Sequence, residues 1–161
     1  MPPSPLPLMR LTSFTDYTLR SLIYLGMNRD RLATIQDIAD LHKISKNHLT
    51  KVIHQLGASG LVETVRGRNG GLRLAQEPED INIGAVVRRS EPDFHIAECF
   101  DENSHDCIFT GACALQHKLG DAVQAFLAEL DRVTLADVLP RPRSAMGQAL
   151  TAQPVTFHRK T

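Results

Sequence analysis

Long apolar runs are missing from this chain: none approaches the roughly 20 residues that a membrane-spanning helix requires. The opening MPPSPLPLMR also lacks a basic start followed by a continuous apolar stretch. Neither an anchor nor a secretory leader is expected, and a soluble, cytoplasmic protein is. Cysteine is confined to Cys99, Cys107 and Cys113. An odd number so closely grouped argues against a secreted disulfide framework and for a local ligand set or redox thiols. No glycine-rich phosphate loop leads into a helix, and the scattered histidines and carboxylates form no nucleophile, base and orienting set on one element. An enzyme is therefore not expected. No internal repeat is visible. What remains, at 161 residues and 42% hydrophobic, is enough chain to bury one core with appendages.

Net charge is zero, which on its face discourages nucleic-acid binding, but the average hides an asymmetry. Between Lys43 and Arg73 six basic residues face a single acidic one, Glu63, a local charge of +5; between Glu77 and Asp106 nine acidic residues outnumber Arg88 and Arg89, giving −7. A basic module followed by an acidic one is the natural reading, and clustered Lys and Arg are what DNA phosphates require.

Prolines 2, 3, 5 and 7 exclude an opening helix, so residues 1–8 read as a disordered lead and Met9 is an alternative start of translation. Ser13 and Asp16 have the spacing of a helix cap, and Leu19, Leu22, Ile23 and Gly26 then share a face to about Asn28. Thr34 caps a second helix through Ile35, Ile38, Ala39 and His42. Ser45 caps a third in which Leu49, Val52, Ile53 and Leu56 point inward until Gly57 and Gly60 stop it. The period then changes: residues 61–66 and 71–75 read as strands around Gly67-Arg68-Asn69-Gly70, with Asn69-Gly70 a hairpin signal. A short helix spans Asn82 to Ser90. The segment 91–113 has no sustained period, and a long helix runs from about Ala112 to Arg132 with Leu115, Leu119, Ala122, Phe126, Leu130 and Val133 as its stripe. Thr134 caps a last turn through Leu139, and residues 140–161 read as a disordered tail.

The expected fold is mostly α: a winged helix-turn-helix with a two-stranded wing over residues 9–90, a cysteine-bearing loop over 91–113, and a long C-terminal helix with a terminal turn over 112–139. In that arrangement the third helix enters the major groove and the hairpin reaches the neighbouring backbone or minor groove. Ser45, Lys46, Asn47, His48, Thr50 and Lys51 are the candidates for phosphate and base-edge contacts. Arg66 and Arg68 flank a slim glycine-rich tip suited to a narrow groove.

The cysteine spacing, with seven residues and then five between thiols, is not the close pairing usual in structural zinc sites. It leaves three occupants open: an iron–sulfur cluster, zinc, or metal-free redox thiols. Cys113 falls at the head of the long helix, where free N–H groups favour anionic sulfur.

Met9-Arg10-Leu11-Thr12 with Phe14-Thr15-Asp16-Tyr17, Ile44-Ser45-Lys46-Asn47-His48-Leu49, Arg66-Gly67-Arg68-Asn69-Gly70-Gly71 and the three cysteines together resemble the iron–sulfur winged-helix regulators typified by IscR and NsrR. The similarity runs from Met9 to about Leu139 and is greatest to the nitric-oxide-sensing repressors. It implies a homodimer on double-stranded operator DNA, paired through the long helices, with a 4Fe-4S cluster on Cys99, Cys107 and Cys113. The matching fourth ligand is Asp16 from the partner subunit; a carboxylate that merely stabilises its own helix N-terminus is the competing reading of that residue. The histidine that IscR-like members place three residues after the last cysteine is Gln116 here, which counts against a 2Fe-2S site, although His95, His105 and His117 could still ligate. The resemblance implies repression that nitric oxide relieves; sensing of iron, oxygen or redox state through the same cluster, or a zinc- or thiol-dependent DNA-binding regulator, are the alternatives.

Overall fold

The computed structural model describes residues 10–103, 107–109 and 111–141. The expected lead, Met9, His105 and the tail beyond Arg141 lie outside them. The chain folds as α1 (Ser13–Met27), α2 (Ile35–His42), α3 (Lys46–Ala58), β1 (Val62–Val65), β2 (Gly71–Leu74), α4 (Ile83–Ser90), α5 (Ala114–Leu130) and α6 (Leu135–Val138). It is the mostly helical architecture with a two-stranded antiparallel wing that the sequence patterns imply. No described helix is long and apolar enough to cross a membrane.

Capping places most helix starts. The Thr34 hydroxyl accepts from the Asp37 N–H while the Asp37 carboxylate accepts from the Thr34 N–H, a reciprocal box. Ser45 and Asn82 cap α3 and α4 through His48 and Ala85. At α1 the cap is Thr12, whose hydroxyl accepts from the Thr15 N–H; Ser13 is already inside the helix, which starts one residue earlier than the Ser13-Asp16 spacing suggested. The α2–α3 turn is closed by Lys43 in the left-handed region at φ 54°, a conformation usually left to Gly or Asn.

Leu22, Tyr24 and Leu25 of α1 meet Ile38 of α2, Leu49, Val52 and Leu56 of α3, Leu72 of the wing and Val87 of α4 in one core. Because α1 touches α2, α3, α4, α6 and β2, its small polar residues are enclosed too. Thr15, Thr18 and Ser21 are buried beside the expected apolar face, Thr18 and Ser21 donating back to the Phe14 and Tyr17 carbonyls. The wing pairs Val62 with Leu74 through Val65 with Gly71, and its base is tied to Ala33, which exchanges both backbone hydrogen bonds with Leu72. The five-residue tip 66–70 turns on Gly67 at φ 119°, so Asn69-Gly70 is not a two-residue hairpin turn. Gly70 is needed for another reason: a Cβ there would overlap the Val65 carbonyl.

The expected stripe of α5 divides. Of its residues Leu130 and Val133 pack against the core, whereas Leu115 is 65% and Phe126 45% exposed; the most buried residue of the helix, Leu127, and the packed Val123 lie outside the expected stripe. After α5 the chain returns: Ile83 donates to the Val133 carbonyl, Leu135 donates to the Ile81 carbonyl, and Leu139 closes on α1 at Gly26.

Candidate nucleic-acid interface and cysteine segment

The outward face of α3 is as its period requires. Lys46, Asn47, His48, Thr50 and Lys51 are exposed while Leu49, Val52, Ile53 and Leu56 are buried beneath them. Two of these polar groups are already engaged: the Ser45 oxygen accepts from the His48 N–H, and the Thr50 hydroxyl donates to the Lys46 carbonyl at 2.9 Å. That leaves Lys46, Asn47, His48 and Lys51 as side chains able to reach outward with full donor capacity. His48 is not unsupported. Its ring stacks on Tyr17 of α1, with centroids 6.2 Å apart and planes 28° apart. Nothing in the spacing of either residue marks that contact, because it joins two helices.

Arg66 and Arg68 are exposed at the wing tip and make no ion pair among the described residues, unlike the two arginines behind them. Arg73 donates across the strands to Glu63 at 2.9 Å, and Arg29 pairs with Glu77 at 2.7 Å. The carboxyls of Glu63 and Glu77 are held below their ordinary range by those hydrogen bonds. The molecule thus separates structural arginines, pinned at the hinge of the wing, from uncommitted ones at its tip. Together with α3 the tip makes a basic face whose local charge is not cancelled by neighbours.

Cys113 is the N-cap of α5, and its sulfur accepts from the Gln116 N–H at 3.4 Å. The Gln116 side chain in turn donates to the backbone carbonyl of Cys99. One residue therefore ties together the two ends of the cysteine segment, and the Phe100 ring beside Cys99 lies over Gly120, one turn further along α5. All three cysteines are half-buried. Ile108 and Phe109, next to Cys107, are 89% and 63% exposed. Among the described residues no three His, Cys, Asp or Glu side chains are gathered for a metal ion. The donor chemistry nonetheless fits an iron–sulfur group, since three half-buried thiols share one irregular segment and one of them sits at a helix N-terminus, already accepting a backbone N–H.

Asp16 lies in the first turn of α1, 44% exposed, and pairs with Arg20 at 3.0 Å. Within one chain it behaves as a helix N-terminal carboxylate. His95 takes part in a local turn with Asp93, and His117 is exposed on α5. Gln116 was legible only as a departure from a histidine pattern; its link to Cys99 was not. Glu91 was not legible at all: it accepts from the Thr12 N–H at 2.7 Å and from the Thr12 hydroxyl at 3.0 Å, closing the start of α1 against the end of α4.

Residues 11–141 match the Rrf2 family, described as iron-dependent transcriptional regulators. The chain is 52% identical over 139 residues to the HTH-type transcriptional regulator NsrR of Bacillus subtilis, a match covering 86% of this chain and 95% of the relative. It is 48% identical over 132 residues to the regulator of the same name from Shouchella clausii, covering 81% and 89%. Among solved structures, T. potens IscR superposes with a TM-score of 0.62 at 24% identity over 80% of this chain and 85% of that one. Staphylococcus aureus CymR superposes with a TM-score of 0.66 at 21% identity, covering 83% of this chain and all of its own.

Proposed function

The chain belongs to the Rrf2 family and is a DNA-binding transcriptional regulator, not an enzyme; from that premise we propose that it is a cytoplasmic, homodimeric repressor that senses nitric oxide through an iron–sulfur cluster. The observation that carries the reading is the position of the cysteines, on the one segment that joins the end of α4 to the head of a helix that leaves Leu115 and Phe126 uncovered. Cys99, Cys107 and Cys113 would hold the cluster, of the 4Fe-4S type, with Asp16 of the second copy as fourth ligand. The cluster would supply iron that a small diatomic can attack, most readily where thiolate ligation is incomplete. Leu115 and Phe126 on α5, 65% and 45% exposed, offer the apolar surface for the second copy.

The rest follows from the chain's own residues. In a dimer, α3 of each subunit reads one half of a palindromic operator through Lys46, Asn47, His48 and Lys51, with Ser45 and Thr50 at its margin. Arg66 and Arg68 take phosphates or the adjacent minor groove. Asp16 is on α1, directly before the Tyr17 that supports His48, so engagement of Asp16 by the partner's cysteine segment requires exchange of its Arg20 pair and bears on the reading face. Release of that engagement changes how the two α3 helices are held, and DNA dissociates. The description of the family as iron-dependent favours, as a second reading, a sensor of iron supply through the same cysteines.

The test is to load the protein anaerobically, titrate nitric oxide, and follow cluster absorbance beside binding to a duplex that the protein has selected from a random-sequence library. Loss of absorbance and loss of binding should coincide. Binding that persists after the cluster is gone would overturn the model, and zinc or no metal in anaerobically purified protein would replace it with a zinc- or thiol-dependent regulator.

A further inference from the structure

The last turn of α4 is bonded to three other helices within four residues. Arg88 makes a bidentate pair with Asp131, just past the end of α5. The Arg89 carbonyl is among the last four of its helix, which have no partner inside it; it accepts from the Gln55 side-chain amide of α3 at 2.8 Å. The Ser90 hydroxyl closes on the Val86 and Val87 carbonyls. Glu91 accepts from Thr12 at the start of α1. Pro92 then opens the cysteine segment.

Gln55 is the connection to α3, the proposed recognition helix. It lies on the exposed side of α3, one turn beyond Lys51, where neither the apolar period nor the basic cluster accounts for it. Beside its bond a void of about 20 Å³, bordered by Leu56, Ser59, Val86 and Ser90, separates α3 from α4. Packing at this seam is thus interrupted by a small cleft, and the directional Gln55 hydrogen bond bridges the two helices beside it.

We propose that Gln55 is a positioning residue which fixes the C-terminal half of the recognition helix to the last turn of α4, so that displacement of the cysteine segment is transmitted to α3. The Arg88 and Glu91 contacts supply the other two attachments: they hold the same turn to the C-terminal end of α5, the helix that Cys113 caps at its other end, and to the start of α1. The turn can thus move as a unit, carrying the Arg89 carbonyl with it. This inference rests on the reading that the state of the cysteine segment controls DNA binding.

The experiment measures the affinity of the full-length protein, cluster-loaded and cluster-free, for the library-selected duplex by fluorescence anisotropy. The readout is the ratio of the two affinities, alongside cluster absorbance and thermal midpoint. In Gln55→Ala the absorbance should match the parent and the midpoint should fall by no more than the few degrees that one hydrogen bond accounts for, while the ratio falls by roughly 3- to 10-fold, the range expected from one neutral hydrogen bond. Gln55→Glu removes the donor and should behave alike. Gln55→Lys retains a donor of similar reach and should restore most of the ratio, because any added attraction to DNA acts on both states. A ratio in Gln55→Ala and Gln55→Glu within about twofold of the parent would overturn this inference alone. A parent protein with no difference between loaded and cluster-free states would instead overturn the functional reading, and this inference with it.

Discussion

Removing the two wing-tip arginines tests the DNA-reading face most directly, because the structure separates them from arginines of similar exposure. Arg66 and Arg68 have no ion pair among the described residues, whereas Arg73 is held by Glu63 at 2.9 Å. Binding of a basic protein to duplex DNA releases counterions, so log affinity falls with log salt at a slope of about −0.9 per phosphate neutralised. In the proposed dimer both residues on each wing would make up to four such contacts, so Arg66→Ala with Arg68→Ala should flatten the slope by about 3 to 4. Between about 50 and 200 mM salt, the parent should then lose roughly 10²-fold more affinity than the variant. Arg73→Ala should change the slope by less than about 1, since the charge removed was already neutralised by its cross-strand carboxylate. Anisotropy titrations on one duplex at four or five salt concentrations measure all three proteins. An unchanged slope in the double variant, or an equal flattening in Arg73→Ala, would refute the division between tip and hinge.

Gly84 lies where α4 crosses the end of α5, and a Cβ there would come within 2.8 Å of the Asp131 backbone nitrogen and 3.0 Å of its Cα. Gly84→Ala should cost about 1–3 kcal/mol in urea unfolding, and removing the Asp131 side chain, whose carboxylate meets the new Cβ first, should not fully restore it, because the Asp131 backbone obstructs as well. Lys43 at φ 54° should be improved upon by glycine, with Lys43→Gly gaining about 0.5–1 kcal/mol by the same measurement. His42 is half-buried against the edge of Tyr24, its Nε2 has no hydrogen-bond partner among the described residues, and burial lowers its pKa, with Arg20 acting the same way and Asp16 opposing. The unfolded chain therefore takes up a proton before the native state does. The stability this neutral ring contributes is intact above about pH 6.5 and declines as pH falls through the lowered native value. Thermal midpoints measured between about pH 7.5 and 5 should fall less steeply in His42→Gln than in the parent.

The parts of this protein that its sequence determined are those written in local chemistry. Thr34, Ser45 and Asn82 cap their helices because a hydroxyl or amide oxygen needs only the N–H groups of the following turn. The polar face of α3 and the arginine-flanked wing tip likewise follow from periods of 3.6 and 2, and the number and grouping of the three cysteines mark a local ligand set or redox thiols. Tertiary packing settled the rest. Thr15, Thr18 and Ser21 read as surface residues until α1 is surrounded by its neighbours. The stripe of α5 reads as one face, but the core takes Leu127 from beside it and leaves Leu115 and Phe126 of the stripe outside. Gln116 reaches Cys99 across 17 positions, Gln55 reaches Arg89 across 34, and Glu91 reaches Thr12 across 79. No periodicity encodes such pairings, because each depends on where a long intervening chain returns, and they tie the ends of the cysteine segment and of α4 to α1, α3 and α5.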